Sequence, residues 1–151
     1  MNVLEVYYVY SMKTKAAHHF YYKSDLLYHF LKNYNEQREE KELTNQFSYV
    51  TTRLETGKVM ELLKKISSNV QINEIQANYF QITNGMKSVY LHVLETHLKL
   101  KCPSIYDAEQ LLFKPLRLYP THLFVAHAKK QVYGWISTLK NEQVLNSGQT
   151  L

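Results

Sequence analysis

Glycine, proline and cysteine are all scarce in this chain of 151 residues, which has four glycines, three prolines and one cysteine. The glycines are too widely separated to form a glycine-rich phosphate-binding loop or a GxSxG nucleophile turn. A single cysteine excludes an internal disulfide and a cysteine-rich zinc site, and it is typical of a reducing compartment. The sequence therefore excludes the enzyme classes that need a glycine-rich phosphate cradle.

Long apolar runs are also absent, so no segment of the sequence is predicted to span a bilayer. The first residues, from Met1 to Glu5, lack the basic region and apolar core of a signal peptide. Hydrophobic residues make up 45% of the chain and charged residues 21%, which is a globular composition. We therefore expect one cytoplasmic domain over residues 1–140 and a flexible polar tail over residues 141–151.

Two excesses remain, in tyrosine, with 13 residues, and in positive charge, with a formal net charge of +5. The stretch from His97 to Lys140 has seven basic and two acidic side chains, a difference equal to the whole net charge. A solvated basic surface is the simplest interpretation, and attraction of an acidic partner or a nucleic acid is the alternative. The basic residues of this stretch are Lys99, Lys101, Lys114, Arg117, Lys129, Lys130 and Lys140.

The N-terminal half begins with a strand and continues with helices. Residues 4–12 carry apolar or aromatic side chains on both alternating faces, which predicts a central strand. Residues 13–22 are compatible with a short helix. Ser24 is the predicted N-cap of the next helix. The apolar stripe of that helix follows at the helical spacing and consists of Leu27, Phe30, Leu31 and Tyr34.

Another helix is predicted to begin at Thr44. Its inward residues are Phe47, Val50 and Leu54. Helical geometry puts Gln46, Tyr49 and Arg53 on a neighbouring stripe roughly 100° away, so we expect all three at the surface. One more helix follows, with the apolar residues Val59, Leu62, Leu63 and Ile66.

The C-terminal half changes to a period of two. Asn84-Gly85 predicts a hairpin over residues 79–93 with a type I′ turn, and an inverted apolar phase near residues 94–96 indicates a bulge or bend. Ser104 is predicted to cap a helix that kinks or ends near Lys114, because Pro115 follows. Residues 122–136 predict a last hairpin. This order favours an α+β fold: a single domain with a mainly antiparallel sheet and three or four packed helices.

Catalytic and metal-binding residues do not assemble in this sequence. Neither His92 with His97 nor His122 with His127 has the spacing of a local metal site. Cys102 is more readily explained as a small buried side chain than as a nucleophile. The acidic residues cluster over 36–42 in a solvated connection. We therefore predict no catalytic residue, no metal site, no cofactor and no enzymatic activity.

Aromatic and basic residues near the C-terminus give a second hypothesis. Tyr133 and Trp135 lie close to Lys129 and Lys130, and stacking platforms for nucleic acids combine these residue types on a sheet. No RNA-binding motif or recognition helix accompanies them, and buried tyrosines are the commoner outcome. The second hypothesis is therefore a small nucleic-acid-binding regulator that uses the basic C-terminal half.

An aromatic group near two helix starts predicts a protein-protein interface. Phe20 is followed by Tyr21 and Tyr22 just before the helix at Ser24, while Gln46 and Tyr49 lie on the outward stripe of the later helix. Interface centres favour aromatic anchors. Such a surface is suited to docking against a partner helix.

Four short matches share their order and spacing with one known family. They are Tyr7-Tyr8-Val9-Tyr10 with His19-Phe20-Tyr21, Leu43-Thr44 with Gln46-x-x-Tyr49-Val50-Thr51, Tyr106-Asp107-Ala108-Glu109, and Tyr133-Gly134-Trp135-Ile136. In these segments the chain resembles the SirA family of sporulation inhibitors of replication. The resemblance extends over residues 5–140 and is weaker between residues 53 and 98.

The resemblance implies a small cytoplasmic regulator that binds the N-terminal domain of the replication initiator DnaA and blocks new initiation as cells commit to sporulation. It implies no enzymatic activity, and we expect no direct contact with nucleic acid, a membrane or a small-molecule substrate. The binding positions of the family correspond here to Phe20, Gln46 and Tyr49. Ala16 stands where the family pattern can carry a phenylalanine, and Tyr21 or Tyr22 is the nearest aromatic replacement.

Overall fold

The computed structural model describes residues 3–66 and 69–137 of the chain. The predicted flexible tail over residues 141–151 lies outside the described residues. No helix in the described ranges is long and apolar enough to cross a membrane.

Eight strands form one antiparallel sheet within the described ranges. They are β1 Glu5–Met12, β2 Thr51–Thr52, β3 Gln71–Gln76, β4 Tyr79–Asn84, β5 Lys87–Val93, β6 Leu98–Cys102, β7 His122–His127 and β8 Tyr133–Trp135. The order across the sheet is β3-β4-β5-β6-β1-β7-β8. Strand β1 is central, as predicted, because β7 pairs with one of its edges while β6 and β2 share the other.

Five helices pack on the two faces of this sheet in the part of the chain that the structure describes. They are α1 Thr14–Phe20, α2 Ser24–Glu36, α3 Lys41–Val50, α4 Thr56–Ile66 and α5, which joins Ile105–Ala108, the π-helical stretch Glu109–Phe113 and Lys114–Leu116. Helices α1 to α3 lie on one face, and α4 and α5 lie on the other. The predicted α+β fold with a mainly antiparallel sheet is confirmed.

The sheet separates two cores of different composition. The core beneath α4 and α5 is mainly aliphatic and contains residues of β4, β5, β6 and the adjoining part of β1. The core beneath α1, α2 and α3 is mainly aromatic, so part of the tyrosine excess is buried there. Its large rings belong to Tyr10, Tyr21, Tyr28, Tyr34, Phe47, Phe124 and Trp135.

The C-terminal helix α5 is capped as predicted, because the backbone N–H of Asp107 donates to the Ser104 hydroxyl oxygen at 3.4 Å. The helix continues through Pro115 to Leu116 rather than ending at Lys114. A proline lacks an N–H donor and clashes with the carbonyl four residues earlier in regular α geometry. The wider π-helical turn directly before Lys114 changes that geometry, so the predicted kink takes the form of a local widening.

Two predicted helix starts are wrong in detail. Helix α3 begins at Lys41 rather than Thr44, and the Thr44 hydroxyl donates to the Glu40 carbonyl, four residues earlier, at 3.1 Å. A hydroxyl that bonds backwards in this way belongs inside a helix and does not cap it. Ser24 is the first residue of α2 and caps no N–H, because its hydroxyl instead accepts the indole N–H of Trp135 at 3.1 Å.

The two central hairpin turns also differ from prediction. Asn84 pairs with Lys87, so the turn residues between β4 and β5 are Gly85 and Met86. Of these two residues only Gly85 has a positive φ, of 62°, which fits a turn with glycine at its first central position and excludes type I′. The inverted phase after Val93 is a second hairpin and not a bulge. Val93 pairs directly with Leu98 across a four-residue turn, so both face the same core.

Truncation of Phe47 tests the aromatic core. Its ring stacks on Tyr34 with centroids 3.8 Å apart and meets the Tyr10 ring edge-on. We expect Phe47→Ala to lower the free energy of unfolding by about 3 to 5 kcal/mol in urea titrations, because a buried ring leaves a cavity. The neighbouring exposed Ser48 is the control, and Ser48→Ala should change stability by less than about 0.5 kcal/mol. Equal effects of the two substitutions would contradict this description of the core.

Candidate functional site

Backbone pairing brings the start of α1 next to the end of α3. Strand β2 pairs with the last residues of β1, so that Met12 lies opposite Thr51. Directly beyond this pair, the N–H of Lys13 donates to the carbonyl of Val50 at 2.9 Å. The short helix α1 therefore leaves the sheet beside the last turn of α3, and a groove forms between the two helices.

The three residues expected to bind a partner line this groove together. Phe20 comes from the last turn of α1, and Gln46 and Tyr49 come from α3. They surround a hollow of about 450 Å³, whose other lining residues are Phe30, Asn45 and Val50. A second hollow of about 610 Å³ shares Phe20, Tyr49 and Val50 and extends along α1. We call the two hollows together the α1–α3 groove.

Exposure differs among the groove residues. The Tyr49 side chain is 79% exposed and Gln46 is also exposed, as predicted from the helical stripe. Phe20 is partly buried and packs on the aromatic core. Val50 and Phe30 are partly buried too, although the sequence predicted both as core residues. The reason is that each of them packs on the core and also forms part of the groove wall.

The charge around the α1–α3 groove is positive. The second hollow is lined by Lys13, Lys15 and His19, and neither hollow has an acidic lining residue. The ammonium group of Lys13 lies 5.6 Å from the centre of the Tyr49 ring, which is a cation–π distance. An apolar floor with a basic margin fits a partner surface that combines apolar and acidic side chains.

Ala16 lies in the wall of the larger hollow, between Lys15 and His19. Its small side chain leaves space where a larger one would reduce the hollow. Tyr21 does not replace it, because Tyr21 is buried and packs against Trp135 with ring centroids 5.8 Å apart. Tyr22 is 54% exposed and does not belong to the lining of either hollow.

The remaining candidate chemistry lies away from this groove. Cys102 is buried, and burial, with smaller effects of Asp107 and Glu5, raises the pKa of its thiol to about 12. The thiol therefore stays protonated at neutral pH, which argues against a nucleophile. Within residues 3–66 and 69–137, no three histidine, cysteine, aspartate or glutamate side chains lie close enough to hold a metal ion.

The aromatic hairpin of the second hypothesis is mostly internal. Trp135 is buried, and the ring of Tyr133 stacks on Tyr28 at 4.6 Å. The Lys130 ammonium forms an ion pair with Glu5 at 2.9 Å. These rings therefore do not form an open stacking surface beside the two lysines of the hairpin.

The comparison with protein families identifies the chain. The family model described as "Sporulation inhibitor of replication protein SirA" matches residues 5–140. The chain belongs to the SirA family. Membership assigns it to the sporulation inhibitors of replication, and the match includes α1, α3 and the groove between them. The comparison with curated proteins found no matching relative.

The sequence of this SirA-family protein does not predict several of the residues that line the groove. Lys13 and Phe30 are examples, because one follows a strand and the other belongs to an apolar helical stripe. Their place in the groove depends on how α1, α2 and α3 pack against one another, and no local sequence pattern predicts that packing. An exposed aromatic beside a stripe of core residues is the one local signal, and it identified Tyr49.

A buried histidine gives the fold of this SirA-family protein a predictable acid sensitivity. His97 packs against Tyr8 and Tyr10, and burial, reinforced by Arg38 and Lys99, lowers its pKa to about 4. The unfolded chain, with an ordinary histidine pKa near 6.5, binds the proton first. Stability from neutral His97 is therefore complete above pH 6.5 and is lost as the pH falls towards 4.

We expect the wild type to lose about 3 kcal/mol more unfolding free energy than His97→Phe between pH 7 and pH 4. Urea titrations of both proteins at each pH measure the difference. The variant keeps an aromatic ring at this site, so it controls for packing and for the titration of the carboxylates. Parallel pH profiles would show that folding does not lower the pKa of His97, which would contradict the burial effect.

Proposed function

We propose that this SirA-family protein inhibits the initiation of chromosomal replication during sporulation by binding the N-terminal domain of DnaA through the α1–α3 groove. The observation that supports the proposal is the meeting of Phe20, Gln46 and Tyr49 around one apolar hollow. Phe20 comes from α1, whereas Gln46 and Tyr49 come from α3. Phe20 and Gln46 are 26 positions apart in the sequence. Their convergence supports one binding surface for the three residues that the resemblance assigns to the partner.

Tyr49 is the expected anchor of this interface. A tyrosine ring that is 79% exposed beside two hollows buries a large area when a partner covers it. Its hydroxyl can remain hydrogen-bonded at the rim, and the exposed amide of Gln46 adds a donor and an acceptor one helical turn away. Phe20 forms the fixed wall, because it already packs on the aromatic core.

The proposed mechanism is occupancy. An inhibitor that covers a surface of the initiator's N-terminal domain blocks the assembly steps that need that surface and carries out no chemistry of its own. We therefore propose a regulator without enzymatic activity that acts in the cytoplasm, where the initiator meets the origin. Inhibition by occupancy requires enough inhibitor to match the initiator and is reversed by dissociation.

Truncation of the anchors tests the interface. We expect Tyr49→Ala or Phe20→Ala to weaken binding to the isolated DnaA N-terminal domain by about 2 kcal/mol or more, a factor of about 30. Loss of the Tyr49 ring removes the anchor that the partner covers, and loss of the Phe20 ring removes an apolar wall of the groove. Titration calorimetry measures the affinity. Circular dichroism and urea titration of each variant verify that it is folded, which is most important for the partly buried Phe20.

The matched control is Tyr106, on the opposite face of the sheet in α5. Its side chain is 76% exposed, so Tyr106→Ala removes the same ring at nearly the same exposure. Binding should be unchanged in this variant. Wild-type affinity in a folded Phe20→Ala, Tyr49→Ala double variant would reject the groove as the interface. Loss of affinity in Tyr106→Ala alone would move the interface to α5.

A further inference from the structure

Part of one face of the sheet is left without a helix in the described ranges. The aromatic core beneath α1, α2 and α3 contains no residue of β3, β4, β5 or β6. The opposite face of these strands is covered by α4 and α5. The uncovered face of β4, β5 and β6, which we call the open sheet face, therefore remains accessible on the helix α1–α3 side of the molecule.

The strand registers place aromatic and basic side chains in alternating positions across the open sheet face. Tyr79 pairs with His92, which pairs with Lys99, and the next row runs from Gln81 to Tyr90 to Lys101. All six side chains are partly buried and partly solvent-accessible. The Tyr79 ring is stacked on Tyr90 with centroids 6.3 Å apart and lies 5.5 Å from His92.

The charge of the open sheet face is positive and uncompensated. Neither Lys99 nor Lys101 forms an ion pair among the described residues. The strand positions that share this face on β3, β4, β5 and β6 hold no aspartate or glutamate. These two lysines are among the seven basic residues between His97 and Lys140, so part of the positive charge of that stretch lies on the open sheet face.

We propose that the open sheet face binds single-stranded nucleic acid, with bases stacked on Tyr79, Tyr90 and His92 and phosphates held by Lys99 and Lys101. Aromatic rings on a sheet are a recurrent platform for two or three unpaired bases, with basic side chains tracking the backbone. The Gln81 amide donates to the Tyr90 hydroxyl at 3.5 Å and to the Ser88 hydroxyl at 3.2 Å, which restricts the orientation of the Tyr90 side chain.

A single strand fits this surface better than a duplex. The face is a sheet surface without a protruding helix or ribbon to enter a groove, and its rings are useful only to bases that are not already stacked in a helix. The proposed nucleic-acid site therefore lies on β4, β5 and β6 and not on the hairpin with Lys129 and Lys130. It does not depend on the α1–α3 groove, which involves none of these strands.

The direct test is fluorescence anisotropy of the full chain with labelled oligo-dT and oligo-rU of about 12 nucleotides, within the usual site size for sheet platforms. We expect saturable binding that weakens with salt. Comparison of the two probes distinguishes a DNA from an RNA ligand, and binding of either supports the proposal. Absence of binding to both probes at low salt would overturn it.

Charge variants test the phosphate contacts. Because each phosphate neutralised on a single strand contributes about −0.7 to the slope of log affinity against log salt, we expect Lys99→Ala/Lys101→Ala to flatten the slope by about 1.4. Lys64→Ala/Lys65→Ala is the control, since it removes two exposed lysines from α4 on the opposite face. Equal flattening in both double variants would show nonspecific charge attraction and would overturn the assignment.

Ring variants test the stacking. We expect Tyr90→Leu, and likewise Tyr79→Leu, to weaken binding by about fivefold or more while leaving the salt slope unchanged. Leucine keeps an apolar side chain on the strand, and urea titration verifies the fold. Tyr49→Ala should bind the oligonucleotides as the wild type does. Unchanged affinity in both leucine variants, or equally tight binding of a polyglutamate peptide, would replace the nucleic-acid proposal with a simple acidic ligand.

Discussion

The pairing of strand β1 is the constraint on which both cores and the groove depend. A buried strand needs partners for its backbone N–H and C=O groups along its whole length. Strand β7 supplies them on one edge, whereas β6 on the other edge pairs only from Glu5 to Val9. The last residues of β1 therefore take Thr51 and Thr52 as partners. This short pairing fixes the end of α3 beside the start of α1.

The two faces of β1 lead to cores with different side chains. The aliphatic core is closed by α4 and α5, and the aromatic core is closed by three helices around Tyr10 and Phe47. Aromatic rings pack edge-to-face and stacked, so large flat side chains fill this layer with few residues. Three tyrosines outside this layer remain accessible to solvent. Tyr49 lies on the outer side of α3, and Tyr79 and Tyr90 lie on the open sheet face.

Local periodicity predicts much of this fold, but not the parts that depend on register. The stripe that separates Phe47 from Tyr49 follows from 3.6 residues per turn, and the structure agrees with it. The two-residue strand β2 has no period to detect, so the pairing that builds the groove is invisible in the sequence. The predicted start of α3 at Thr44 is wrong, because Thr44 has the residue type of an N-cap but its hydroxyl donates to the carbonyl of Glu40. Val50 is only partly buried because a groove wall faces both core and solvent.

The groove owes its position to backbone hydrogen bonds, and this affects how its side chains can vary. The bond from Lys13 to Val50 and the pair of Met12 with Thr51 do not depend on the side chain at Ala16. A small residue there enlarges the hollow without moving the helices. A surface held by the central strand also needs little ordering when a partner binds, so more of the contact energy remains as affinity. On the proposed function, partner choice then lies in the residues that line the hollows, while the scaffold stays constant.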